Sequence, residues 1–447
     1  MLQRSAVVAV ISYLWCGLAT ISWAQLPGQL GTSFPTENRP VPGVVQPTLP
    51  SDVLDQPGVP EQVEVPRQVS VLEPSVPVLR ENLPLVSTAP LPATENMALL
   101  LAGQEKQADD KGAGAKVDKD GSVWFTSMSG LVMTRDRANN VDLSFSTALS
   151  TPTLLGTQDA SMEWGGGFDI RFGRFFNQRQ QAWEVVYWGL FADAEVASVG
   201  APGAANLNTT FQFDSLSYNG LGSPVDGFFN GAARHQLVRD HEFHNVEVNL
   251  WGNTNGLKKA DGLQVGWLAG IRYFRFRDNL KFMTDSSDGI FTGAVDEVTY
   301  SMDTQNRLLG VQLGGLAQHG LSDRWSLHAG IKFGLFGNHV TNSSEIGGAA
   351  GSAFVDDINN PFDQHHYRLR NHKNDVAMLG EMDLGATFQI RERWRGFLGY
   401  RAAALTGVGL STNQFPTDFS NLTEAAEIRS NGSLILHGGY AGIELLY

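Results

Sequence analysis

Cysteine is nearly missing from this sequence: Cys16 is the only one. Its neighbours Tyr13, Leu14 and Trp15 do not form a lipoprotein cleavage box, and no downstream thiol exists for a disulfide or a cysteine metal site. Positive charge is scarce too. Lys and Arg total 32 against 46 acidic residues, the net charge is −14, and the ten His are scattered. Without a basic patch, nucleic acid is not a partner this chain is built for. Beyond the N-terminal segment no apolar run approaches the roughly 18 residues that a membrane helix needs, which excludes a helical membrane protein but not a β-barrel. There is no Gly-x-Ser-x-Gly elbow, phosphate-binding loop or metal signature, so neither an enzyme nor a cofactor is expected. Proline is confined. Fourteen of 19 fall between Pro27 and Pro92, and the other five are Pro152, Pro202, Pro224, Pro361 and Pro416.

The N-terminus has the layout of a signal peptide over residues 1–24. Arg4 supplies the positive end, Ala6 to Ile21 the apolar core, and Ser22-Trp23-Ala24 the small residues before a cleavage point. A retained anchor is the alternative, but the apolar stretch is short and no basic stop follows it. Residues 25–120 then read as a disordered linker. Proline fixes φ and removes a donor, so Pro27 to Pro92 is extended and polyproline-like, and the charged Gly/Lys/Asp stretch to Asp120 is more flexible still. A spacer is the plain role; contact with the cell wall or a periplasmic partner through residues 26–120 is the functional one.

From Gly121 to Tyr447 the pattern changes to alternation with period two. Trp164, Phe168, Ile170 and Phe172 alternate with Gly165, Gly167, Asp169 and Arg171, and Trp325, Leu327, Ile331, Phe333 and Leu335 alternate with Ser326, His328, Lys332 and Gly334. A strand points successive side chains to opposite faces, so each run has one apolar face and one face of Gly and charge. Globular strands have a mode of about 5–6 residues, whereas a tilted membrane strand needs about 9–11. The runs here are of the longer kind. Ten strands are predicted near 122–134, 161–174, 181–193, 237–251, 262–277, 306–318, 324–337, 374–390, 393–406 and 433–447. The gaps between them alternate long and short, and all five remaining prolines fall in long gaps. Outer-membrane barrels have this asymmetry of short periplasmic turns and long external loops. The fold class expected is therefore all-β, an antiparallel transmembrane barrel of about ten strands in an outer membrane, with the lipid bilayer as partner. Val141–Phe145, Leu207–Phe213 and Val295–Met302 also look like strands, which leaves twelve as the alternative. The apolar parity changes between Tyr300/Met302 and Leu309/Val311, which predicts a bulge or turn between them.

Several segments carry a family resemblance: Trp124-Phe125 with Leu131 to Asp136, Trp164 to Gly173, Val246 to Leu250, and the closing Gly438 to Glu444. Over about 320 residues the chain resembles the family called putative β-barrel porins of planctomycete-type bacteria. The resemblance implies an exported Pro-rich leader before a C-terminal barrel, and it supplies no catalytic residues.

The face opposite the apolar one carries Asp169, Arg171, Glu184, Glu247, Arg272, Lys332, Glu381, Asp383, Arg401 and Glu444, which a barrel would turn into its lumen. Ten or twelve strands lie near the closed end of the size range, so two readings stand side by side. A porin-like barrel would let small solutes diffuse passively through an open lumen, with mild cation preference. A non-conducting barrel, its lumen filled by ion pairs, would instead serve as a structural or surface-interaction protein displaying long external loops. Phe175, Phe176, Trp183, Trp251, Trp325, Trp394 and Tyr447 sit beside short turns or the chain end, where an interfacial aromatic girdle is expected.

Three clusters invite sharper chemistry. His241 and His244 are three residues apart, so on a strand they face opposite ways and cannot chelate together. Asp356, Asp357, Asn359, Asn360 and Asp363 could hold calcium but lack the EF-hand order. His365 and His366 beside Asp363 offer a general base with no accompanying machinery. No metal site is expected.

Overall fold

The computed structural model describes residues 123–137, 139–146, 153–176, 180–191, 193–201, 206–218, 223–253 and 263–447. The expected signal peptide of residues 1–24, Cys16 and the expected linker of residues 25–120 lie outside the described residues.

Ten long strands follow one another around a ring. They are β1 (Val123–Arg135), β2 (Gly165–Phe176), β3 (Gln181–Phe191), β4 (Arg234–Asn253), β5 (Leu263–Asp285), β6 (Glu297–Gly320), β7 (Trp325–Gly348), β8 (Arg368–Arg391), β9 (Trp394–Val408) and β10 (Gly432–Leu446). Each pairs antiparallel with its chain neighbours, and β10 returns to β1 from Leu446 opposite Phe125 to Leu436 opposite Arg135. The sheet thus closes on itself, with β1 paired to β2 at Val123 opposite Phe175 and Trp124 opposite Arg174. Every predicted strand is present, and the ring has ten.

The burial pattern gives the reason for closure. On β5, β6 and β7 one parity exposes Ile271, Leu309, Val311, Leu313, Ile331, Phe333 and Leu335, all large and apolar, while the other parity is buried. The belt continues through Val376, Met378, Leu398, Ile443, Val132, Ile170, Val185, Val246 and Val248. A continuous apolar surface of this extent is unstable in water and is what hydrocarbon requires.

β4 to β8 run well beyond this belt at the long-loop end, where the predicted boundaries were too short. Val295–Met302 belongs to this extension; it does not add a pair of strands. The predicted bulge or turn near Tyr300–Leu309 is corrected: β6 keeps unbroken register with both neighbours from Thr299 to His319. What changes along β6 is the chemistry of each side. Within the belt the outside is apolar, as at Leu309 and Val311; beyond it the outside carries Ser301, Asp303 and Gln305, and the inside carries Val298, Tyr300 and Met302. The parity is constant and the medium is not.

The apolar inside of the extended wall is covered by the long connections. Short strands Asp142–Ser146, Leu155–Gly156 and Leu207–Thr209 form one small sheet, and Leu216–Tyr218, Ser223–Pro224 and Phe354–Val355 another. Phe213 packs on Phe229 and Phe419 at ring-centroid distances of 4.8 and 4.5 Å, and Phe229 and Phe419 reach wall residues Phe282 and Tyr300 at 5.2 and 5.4 Å. These loops therefore make a cap with its own core.

Candidate functional site

The inside of the ring repeats the same strata on adjacent strands. From the short-turn end upward, β4 turns inward Trp251, then Asn249, Glu247 and Asn245, then Phe243, then His241 and Arg239, then Leu237. β5 does the same with Leu268, Arg272, Phe274 with Phe276, Asp278, and Leu280 with Phe282. β6 follows with Leu316, Gln312, Leu308, Asn306 with Thr304, and Met302 with Tyr300. An apolar floor, an ionic layer, an apolar layer, a second polar layer and the cap are thus stacked along the axis.

The ionic layer joins opposite walls. Lys332 on β7 donates to Glu247 on β4 at 3.0 Å and lies 3.1 Å from Glu381 on β8. Arg272 on β5 reaches Glu381 at 2.8 Å and Glu247 at 3.6 Å. Arg401 on β9 donates to Asp169 on β2 at 2.9 Å and sits 3.5 Å from Asp383. Arg171 holds the other side of Asp169 at 3.2 Å. Neutral donors complete the shell: Gln312 and Asn249 donate to Glu247 at 2.8 and 3.0 Å, Asn249 donates to Glu184 at 2.9 Å, and Tyr440 donates to Asp383 at 2.7 Å. Charges removed from water need such neighbours, because desolvation of each ion otherwise outweighs the attraction between them.

All ten residues singled out as lumen-facing are on barrel strands and turn inward. Asp169 and Arg272 are 0% exposed, Glu247, Glu184, Arg401 and Glu444 1%. Glu444 stands apart from the network, with Arg395 at 3.7 Å. Asp383 keeps a side chain 14% exposed, and the other nine are closed in by protein.

A second buried cluster went unnoticed in the sequence. Asp278 accepts from Arg239 at 3.0 Å, lies 3.2 Å from the His241 ring and 3.8 Å from Arg135, and accepts from the Ser411 backbone N–H at 3.1 Å. The connection between β9 and β10 enters the lumen here. Asn306 grips Gly409 at both backbone groups, at 2.7 and 2.8 Å, and Asn338 donates to the Gly407 carbonyl at 3.0 Å. Gly407 has φ +77° at a break in register, where an added Cβ would strike the Val376 carbonyl. The turn inward needs glycine at that position.

The aromatic assignments divide. Trp325, Trp394 and Tyr447 are exposed on the outer surface at the short-turn end, and Phe176 and Trp183 are half-buried with outward parity. Phe175 and Trp251 are corrected: each is 1% exposed and belongs to the apolar floor of the lumen. Phe175 shares the parity of Asp169 and Arg171, and Trp251 that of Glu247 and Asn249, so proximity to a turn could not place them outside. Trp124 and Trp267 share the outward position and were missed. Arg174 stacks over Trp124 at 5.2 Å.

His241 turns inward, while His244 faces outward and contacts Tyr187 at 2.9 Å and Glu242 at 2.6 Å. In the 356–363 loop the oxygens cap the turn. Asp357 accepts from the Asn359 N–H, Asp363 from the Asp357 N–H and Asn360 from the Phe362 N–H, and Asp356 accepts from Ser217. The His365 ring lies against the carbonyls of Phe362 and Asp363, each at 3.1 Å.

Residues 123–432 match the family model described as Putative beta barrel porin-7 (BBP7). No curated protein matches the chain. Among solved structures, the outer membrane protease OmpT from Escherichia coli is 10% identical with a TM-score of 0.36, covering 75% of this chain and 99% of that one. A major outer membrane protein from Thermus thermophilus is 9% identical with a TM-score of 0.27, covering 73% and 99%. A Pseudomonas aeruginosa FadL homologue is 8% identical with a TM-score of 0.23, covering 73% and 90%. Scores this low carry no argument about activity.

Proposed function

The chain belongs to the BBP7 family of outer-membrane β-barrel porins, and on that premise we propose that it acts as a barrel closed at rest, a non-enzymatic structural and surface-interaction element of the envelope. The long-loop end faces outward and presents the cap, and residues 25–120 reach through the periplasm towards the cell wall or a partner. One observation carries this reading. Arg272, Lys332 and Arg401 tie β4, β5, β7, β8, β9 and β2 together across the lumen, with every member enclosed by protein. An open pore would leave such groups hydrated.

Passive diffusion of small solutes is the second reading. The family description favours it, and so does the β9–β10 connection, which is held in the lumen by polar contacts from Asn306, Asn338 and Asp278 that water can replace. Purified full-length protein in planar bilayers separates the two. Silence from protein whose fold is verified by heat-modifiable gel migration is expected, and stable single-channel steps from the unmodified chain would overturn the closed-barrel reading.

A further inference from the structure

At the upper edge of the apolar belt, neighbouring strands place a row of basic side chains on the outer surface. His244 on β4 stands opposite Arg275 on β5, Arg275 opposite Arg307 on β6, and Arg307 opposite His339 on β7. One position lower in the same row are Tyr273 and Leu309, within the belt. Like charges directly opposite on paired strands repel, so Arg275 facing Arg307 costs stability unless an anion lies between them. The carboxylates on this face are engaged. Asp303 is held by Arg277 through two contacts of 2.8 Å, Asp240 accepts from Asn279 at 2.7 Å, and Glu242 serves His244 at 2.6 Å and Arg275 at 3.6 Å. Arg307 donates to Gln305 at 2.6 Å and has no carboxylate within 4.0 Å among the described residues, while the Arg275 side chain is one third exposed although its Nε is buried. On the opposite wall the corresponding rim residues are Thr134, His437 and Tyr400, with no Arg or Lys.

We propose that Arg275 and Arg307 bind the anionic headgroup of a phospholipid in the leaflet at the long-loop end. The height fits: acyl chains would lie along Leu309, Val311 and Ile271, and the phosphate would meet two guanidiniums able to donate in pairs. Zwitterionic lipid offers the same phosphate with its charge cancelled by the neighbouring cation, so the site discriminates by net charge. The inference uses only the position of the belt and holds whether or not the lumen conducts.

Native mass spectrometry of the detergent-solubilised full chain tests it, with phosphatidylglycerol and phosphatidylcholine of identical acyl chains as probes. Phosphatidylglycerol is expected to be retained roughly tenfold more strongly, and Arg275→Gln/Arg307→Gln to remove that preference, as loss of charge-assisted bonds implies. Should the double variant lose heat-modifiable migration, Arg307→Gln alone repeats the measurement at a residue with no carboxylate partner. Equal retention of both lipids, or a preference unchanged in the variants, would overturn the proposal. Displacement of the lipid by inorganic phosphate at equal concentration would also overturn it, by showing a free-anion site in place of a lipid site.

Discussion

Arg401 is the residue on which the ionic layer converges, since it faces Asp169, Glu381 and Asp383 together. Its removal leaves three buried carboxylates with less positive charge than they were folded around. Breaking a buried ion pair from one side costs about 3–5 kcal/mol. Arg401→Met is therefore expected to lower barrel stability by that order, read as an earlier midpoint in urea unfolding followed by tryptophan fluorescence in detergent. Lys373→Met makes the contrast, because its partner Asp375 is solvent-exposed and an exposed pair contributes about 0–1 kcal/mol. The lumen charges were legible in the sequence because parity alone separates them from the apolar face. Asp278 was missed for a boundary reason: a strand ended at Arg277 leaves it in a loop, although Phe274, Phe276, Asp278, Leu280 and Phe282 continue the same alternation. Phe175 and Trp251 show the converse, where nearness to a turn was given more weight than parity.

β6 carries the sharpest test at the scale of an element. From Thr299 onward its odd-numbered side chains face outward, into lipid at Val311 and into water at Ser301. An arginine near the middle of a lipid-facing belt costs about 2–4 kcal/mol, and near the interface about 0–1. Val311→Arg should therefore be strongly destabilising and Ser301→Arg almost neutral, measured by reversible unfolding in lipid vesicles. Equal penalties would contradict the change of medium along one strand. The hairpin tip between β5 and β6 has its own titratable latch. Burial pushes the Glu297 carboxyl up, but the N–H groups of Ala294, Thr292 and Gly293 donate to it and hold it below its ordinary range. A depressed carboxylate contributes its stability above the ordinary value and loses it as pH falls through the lowered one. Hydrogen exchange at residues 286–296 is expected to stay slow at neutral pH and accelerate only in strong acid, and Glu297→Gln to show the acid behaviour at pH 7. The extension of β4 to β8 was illegible because its apolar face lies inside, against the cap, where the pattern resembles an ordinary strand core and not a membrane face.

At the scale of the molecule, the described residues form a ten-stranded ring whose two sides exchange chemistry at one height. Below that height lipid covers the outside, and buried ion pairs lie between apolar layers on the inside; above it, water covers the outside and folded loops pack against the inside. The ring was readable from run length and gap asymmetry, which favoured ten strands and left twelve open. The cap was not, since contacts such as Phe213 with Phe419 join residues far apart in sequence that no local period relates. Single cysteines placed along β6 in a Cys16→Ser background test the central claim most directly, with a lipid-soluble and a water-soluble maleimide compared at each position from 298 to 318. The lipid-soluble reagent should label Leu309→Cys, Val311→Cys and Leu313→Cys, the water-soluble one Ser301→Cys and Asp303→Cys, and neither the even-numbered positions. Water-soluble labelling at Leu309, Val311 and Leu313, with no lipid-phase labelling anywhere on β6, would mean that the apolar belt never meets a bilayer.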